Sequence, residues 1–237
     1  MAEPSCKKCQ GSGFIFKEID DITYSIPCSC QDKEKFTALF QSAGIPEIYK
    51  NRCTFDNFQI IKDNPSIKEA FEVAKKYSEE YPAFEKGKPN GLLFMGSCGV
   101  GKTHLAVAIL NEIMFKKKSP AKFVDLNELY REIRASYGNN DFSEYDILVP
   151  YVEAELLLID ELGCISSPWA QDTLLYIITQ RYNKFLPTLL TTNYPDTSDG
   201  KEDSLIERIG TRCRSRLYEM CRTVVMNGDD FRKRKKF

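Results

Sequence analysis

The chain has 237 residues, 42% of them hydrophobic, with a formal charge of −1 and a pI near 6.0. That balance supplies a buried core and excludes a uniformly basic nucleic-acid-binding polypeptide. No apolar run approaches the roughly 18–20 residues of a membrane-spanning helix, and the N-terminal MAEPSCKKC lacks the apolar stretch of a secretory signal. Nine cysteines without export signals read as thiols in a cytoplasmic protein with no membrane partner. The overall charge hides an asymmetry: Ile206 to Phe237 holds ten Lys and Arg against four Asp and Glu, a local +6.

In chain order, residues 1–35 contain Cys6-x-x-Cys9 and Cys28-x-Cys30, separated by two β-like runs, Phe14–Ile19 and Ile22–Ile26, that turn at Asp20-Asp21. Such a hairpin brings four thiolates together, the donor set of tetrahedral structural Zn²⁺. Free thiols and an iron–sulfur or redox pair stay open as alternatives, because C-x-C is less specific than C-x-x-C. Residues 36–60 form a connector, with a helix over Lys33–Ser42 broken by Gly44-Ile45-Pro46. A helix follows over Ser66–Tyr81, where Ile67, Ala70, Phe71, Ala74 and Tyr77 recur at helical spacing.

From Gly91 the pattern alternates. Strands are predicted at Leu92–Met95, Lys122–Asp125, Leu156–Ile159 and Thr188–Thr191, and helices at Lys102 to about Lys117, Leu126–Tyr137 and Thr173–Lys184. Strands interleaved with helices imply an α/β fold, a parallel sheet covered on both faces.

Gly96-Ser97-Cys98-Gly99-Val100-Gly101-Lys102-Thr103 satisfies G-x-x-x-x-G-K-[ST], between a predicted strand and a predicted helix. Glycines let the backbone N–H groups turn inward onto phosphate oxygens. The lysine reaches the β- and γ-phosphates, and the threonine hydroxyl serves Mg²⁺. His104 closes this nucleotide-binding stretch, its ring read as core packing. The apolar strand Leu156–Ile159 delivers Asp160 and Glu161 to the sheet's C-terminal edge, Asp160 for Mg²⁺ and Glu161 as general base for water attack. Asn193, after the next strand, is placed to orient the same water beside the γ-phosphate of ATP.

GIPEIYKNRCTFDNF (44–58), GSCGVGKTHLA (96–106), LLLIDELG (156–163), PTLLTTN (187–193) and RIGTRCRSRLYEM (208–220) together resemble the DnaC/DnaI helicase loaders and the related IstB transposition ATPases of the AAA+ class. The resemblance implies an AAA+ P-loop ATPase domain over 61–237, preceded by the zinc-binding β-hairpin module. It implies ATP and Mg²⁺ as cofactors, with ATP binding and hydrolysis acting as the switch. The implied partners are a replicative helicase docked through the zinc module, single-stranded DNA, and further copies of the chain. An arginine from one protomer would complete its neighbour's site, Arg212 or Arg216, with Arg216 favoured by the family pattern; Arg232 matches a second, sensor arginine. Tyr137, and Trp169 with Ser166 and Ser167, are the candidate DNA contacts. A transposition helper of IstB type and a P-loop small-molecule kinase are the alternatives. A zinc motif that precedes the P-loop instead of interrupting a later lid counts against the kinase.

Overall fold

The computed structural model describes residues 6–7, 9, 14–19, 22–28, 37–50, 52–60, 64–85, 87–137, 143–198, 200 and 203–233. The expected turn at Asp20-Asp21, Cys30, the residues before 37 in the first helix, and the end of the basic tail lie outside them.

The N-terminal runs pair as an antiparallel hairpin, β1 (Phe14–Ile19) and β2 (Ile22–Pro27), with Phe14 opposite Pro27 and Ile19 opposite Ile22. Then come helical residues 37–42 (α1), the single turn α2 (Glu47–Lys50) and α3 (Pro65–Glu80). Asn64 caps α3 by accepting from Ile67 N at 3.2 Å, and Pro65 opens it where no N–H is needed.

The remainder is a three-layer α/β unit. Its elements are β3 (Gly91–Gly96), α4 (Lys102–Lys117), β4 (Ala121–Asp125), α5 (Leu126–Ser136), α6 (Glu144–Val152), β5 (Leu156–Asp160), α7 (Pro168–Asn183), β6 (Thr188–Thr192), α8 (Leu205–Ile209), α9 (Thr211–Met220) and β7 (Cys221–Met226), ending in a 3₁₀ turn at Phe231–Lys233. The sheet order is β4-β5-β6-β3-β7, every pair parallel. Alternation along each strand divides the apolar side chains between two cores. Leu92, Phe94, Phe123, Leu158 and Leu189 face α3 and α4; Leu93, Met95, Ile159 and Leu190 face α5 to α9. Phe40, Ala43, Ile45 and Cys53 pack into the first core. This covers α4 on its outer side and explains why that helix is apolar nearly all round.

Five elements differ from the expectation. The helix α7 begins at Pro168, not Thr173, because Ser167 caps it (accepting from Ala170 N at 3.3 Å) and Pro168 is its first residue. The helices α2, α6 and α8 and the strand β7 were not anticipated. β7 alternates buried and exposed residues at the sheet's edge and is fixed by pairing with β3.

The fully buried Arg181 closes the sheet's N-terminal side with, among the described residues, no carboxylate partner. Its Nη1 donates to the Tyr151 and Ala154 carbonyls at 2.8 Å each, Nη2 to Pro187 O at 2.7 Å and Nε to Thr188 Oγ1 at 2.9 Å. Burial pushes its pKa down to about 10, so it stays charged at neutral pH. Arg181→Met would strand these acceptors, and a loss of about 3 kcal/mol is expected in urea unfolding. An unchanged midpoint would show that water replaces the guanidinium.

Candidate nucleotide-binding site

Strand register places the site. Met95 pairs with Thr192, so one step further Asn193 stands beside Gly96 at the start of the P-loop. Asp125 pairs with Asp160, which sets the first turn of α5 against Glu161. The loop from Gly96 to Gly101 curls through left-handed backbone at Gly99 (φ 78°) and Gly101 (φ 106°), a conformation that side chains resist. A Cβ on Gly101 would also meet the Phe58 ring at 2.8 Å.

Lys102, 6% exposed, turns its ammonium back into this cradle. Nζ donates to Gly96 O at 2.8 Å, Ser97 O at 2.8 Å and Asn193 Oδ1 at 2.7 Å. Burial holds its pKa below the ordinary lysine value. Thr103 Oγ1 donates to Asp160 Oδ1 at 2.9 Å, and Thr191 Oγ1 donates to the same oxygen. Asp160 is 3% exposed; burial raises its pKa and the two hydroxyl bonds oppose that rise. A hydroxyl and a buried carboxylate, adjacent at the rim of a phosphate cradle, are hard oxygen donors of the kind Mg²⁺ takes while keeping several waters.

Glu161 is exposed and adopts φ 60°, unusual for a residue with a side chain. Its N–H donates to Thr191 Oγ1 at 3.2 Å, and its Oε2 accepts from Asn127 Nδ2 at 2.8 Å. Asn127 is a site residue the sequence did not reveal. It is placed by Asp125, which caps α5 by accepting from Asn127 N at 2.8 Å. The following turn is braced on β6, with Leu162 N donating to Thr191 O at 2.8 Å and Thr192 Oγ1 to Leu162 O at 2.8 Å. The carboxylates and Asn193 are thereby held in one framework.

The structure brings Gly96 through Thr103, Asp160, Glu161 and Asn193 together. Val100 is buried, and Ser97 and Cys98 are exposed on the loop. His104 turns away from the cradle, its Nε2 donating to Thr54 O at 2.9 Å and its ring 5.2 Å from Phe58. Arg232 lies close enough to Lys102 to oppose its charge. Arg212 and Arg216 lie one turn apart on α9 and, among the described residues, neither pairs with a carboxylate. Arg216 Nη1 donates to Arg212 O at 3.2 Å, and its guanidinium lies 6.0 Å from the Tyr182 ring.

The candidate DNA residues also converge. Tyr137 and Trp169 rings are 6.4 Å apart, with Tyr130 at 5.4 Å and Arg134 at 5.0 Å from the Trp169 ring. Trp169 sits in the first turn of α7 instead of in a loop, with Ser166 exposed just before it and Ser167 used as the cap. In the N-terminal hairpin, the Cys6, Cys9 and Cys28 sulfurs all lie within 4.8 Å of one another.

The family model for IstB-like ATP binding proteins matches residues 83–237. The chain belongs to this family. A crystal structure of the DnaC helicase loader aligns with a TM-score of 0.64 and 31% identity, covering 76% of this chain and 99% of that one. The replicative helicase loader DnaC of Escherichia coli K12 is 26% identical over 202 residues, 84% of this chain and 77% of DnaC. YqaM of Bacillus subtilis 168 is 27% identical over 215 residues, 87% of this chain but 65% of YqaM. The fold is the AAA+ P-loop fold, shared with an ATP-binding family. Among the described residues no helix is long and apolar enough to cross a membrane.

Proposed function

We propose that this replication-related AAA+ protein is a cytoplasmic, ATP-switched loader that places a replicative helicase on single-stranded DNA. The observation that carries the switch is the Lys102 ammonium, bonded at once to Gly96, Ser97 and Asn193. A γ-phosphate entering the cradle competes for that ammonium, so Asn193 is released or re-aimed according to which nucleotide is bound. Bound ATP-Mg²⁺ supplies the reactive phosphoryl group and the ion that neutralises its charge. Gly96 to Thr103 would hold the phosphates, Thr103 and Asp160 the ion. Glu161 would take the proton of the attacking water, and Asn193 would orient that water. Arg232 would contact the γ-phosphate, and an α9 arginine of a neighbouring copy would complete the site. His104 would act as support for the loop, through Thr54 and Phe58.

Tyr137 and Trp169, with Arg134 above the indole, offer the stacking surface and positive charge that single strands use, with Ser166 and Ser167 beside them. The two-domain division is proposed with the hairpin of 1–35 as the helicase-docking piece, 36–60 as connector and 61–237 as the ATPase unit.

Zinc fits the hairpin. A tetrahedron with Zn–S near 2.3 Å has sulfur–sulfur edges of about 3.8 Å, and Cys6 and Cys28 sulfurs are 3.8 Å apart. Cys30, outside the described residues, is the proposed fourth ligand. One zinc per chain is expected by elemental analysis, lost on Cys9→Ser; absence of metal from protein purified without chelator would leave these as free thiols.

The decisive test is fluorescence anisotropy of labelled single-stranded DNA with ATP, ADP or no nucleotide, beside Lys102→Ala. Binding that requires ATP and is lost in the variant supports a DNA-acting switch. Equal or absent binding in all three states would remove the loader mechanism and leave an ATPase with another partner.

A further inference from the structure

The parallel pairing of β7 with β3 ends with Gly96 opposite Met226, so the chain leaving β7 must run beside the P-loop. Its start is anchored to the N-terminus of α3: Asn64 Nδ2 donates to Asn227 O at 2.5 Å, and Asn227 N to Ser66 Oγ at 3.0 Å. It is then tied to the loop itself. Ser97 Oγ donates to Gly228 O at 3.0 Å, and Phe231 N donates to Gly99 O at 3.0 Å. Between these two ties the Asp230 carboxylate lies directly on Gly99, where an added Cβ would fall 1.8 Å from Oδ1. The same Oδ1 accepts from the backbone N and the Nε of Arg232, each at 3.0 Å.

This arrangement has a specific consequence for Arg232. A carboxylate bound at Nε leaves the two terminal amino groups of the guanidinium fork free for a second anion. The Arg232 side chain is 72% exposed, so without Asp230 it would sample many rotamers and lose that freedom on meeting a phosphate. Because Asp230 rests on the P-loop backbone, the arginine is referenced to the same loop that would seat the phosphates.

We propose that Asp230 is a positioning residue that grips Arg232 by its Nε and aims its free amino groups at the γ-phosphate, making the site prefer ATP over ADP. This rests on the reading of Arg232 as a γ-phosphate contact. The carboxylate does not touch the nucleotide.

The test uses the full-length chain and compares affinities for a non-hydrolysable ATP analogue and for ADP by fluorescent-nucleotide titration. Asp230→Ala is expected to weaken the ATP analogue about tenfold and to leave ADP within about twofold, since ADP lacks the group Arg232 serves. Asp230→Asn should restore most of the preference, because its amide oxygen still accepts both Arg232 N–H groups. The double variant Asp230→Ala with Arg232→Ala should be no weaker than Arg232→Ala alone. Equal weakening of both nucleotides, or none, would overturn the proposal and leave Asp230 a tie for the strap. If Arg232→Ala changes the preference and Asp230→Ala does not, only the role of Asp230 falls. If Arg232→Ala leaves the preference unchanged, the γ-phosphate reading fails and the proposal fails with it.

Discussion

Glu161→Gln is expected to lower the turnover of ATP about 10²- to 10⁴-fold, the range of a positioned general base, while ATP affinity stays within about twofold. The amide keeps the size of the side chain, and its oxygen can still accept from Asn127 Nδ2, which bonds the native carboxylate at 2.8 Å. The φ of 60° at Glu161 and its N–H bond to Thr191 are backbone features that the substitution does not touch. What is lost is the proton acceptor. Asp160 cannot replace it: it is buried, with Thr103 and Thr191 both donating to its Oδ1, and its geometry suits an ion. Phosphate release under saturating ATP, with analogue binding measured in parallel, separates chemistry from binding. Turnover within about threefold of wild type would remove Glu161 as the base. The Asn127 contact occupies Oε2 and leaves Oε1 of the exposed carboxylate as an acceptor for water.

Those features were legible to different degrees, for physical reasons. Leu156–Leu158 and Ile159 form an unbroken apolar run because a central parallel strand is buried on both faces, and the P-loop spacing is dictated by phosphate geometry; both could be read directly. Asn193 could be placed from the end of β6, although its contact with Lys102 follows only from the register of β6 on β3. Asn127 carried no local signal, because its partner is fixed by the pairing of β4 with β5. β7 was hidden by its own chemistry: Arg222 and Val225 are exposed on an edge strand, so the segment lacks the apolar run of the inner strands. The helix α6 contains Pro150, which reads as a breaker, yet it sits late in a short helix whose start is fixed by Ser143 and Asp146 capping each other. The start of α7 could have been found, since Ser167-Pro168 is a cap followed by a first-turn proline.

Arg216→Ala is expected to cost at least about 10³-fold in turnover of the assembled protein, the scale of an arginine acting in trans on a developing phosphate charge. The arginines at 212 and 216 lie on the same face of α9, but their surroundings differ. Arg212 is exposed, whereas Arg216 is half-buried, held by the Arg212 carbonyl and lying over Tyr182. A residue that must act on a neighbour's phosphate gains most from being ordered beforehand. Tyr182 is itself tied, its hydroxyl donating to Glu219 at 2.6 Å. The discriminating experiment mixes Arg216→Ala with Glu161→Gln, each inactive alone. At interfaces where a Glu161→Gln protomer lends its intact Arg216 to an Arg216→Ala protomer with an intact Glu161, one complete site forms. Random assembly makes that about a quarter of interfaces, and activity should return in that proportion. Recovery with Arg212→Ala in place of Arg216→Ala would move the role one turn along α9. No recovery with either variant would mean that each protomer supplies its whole site, and the loss on Arg216→Ala would then arise within its own chain.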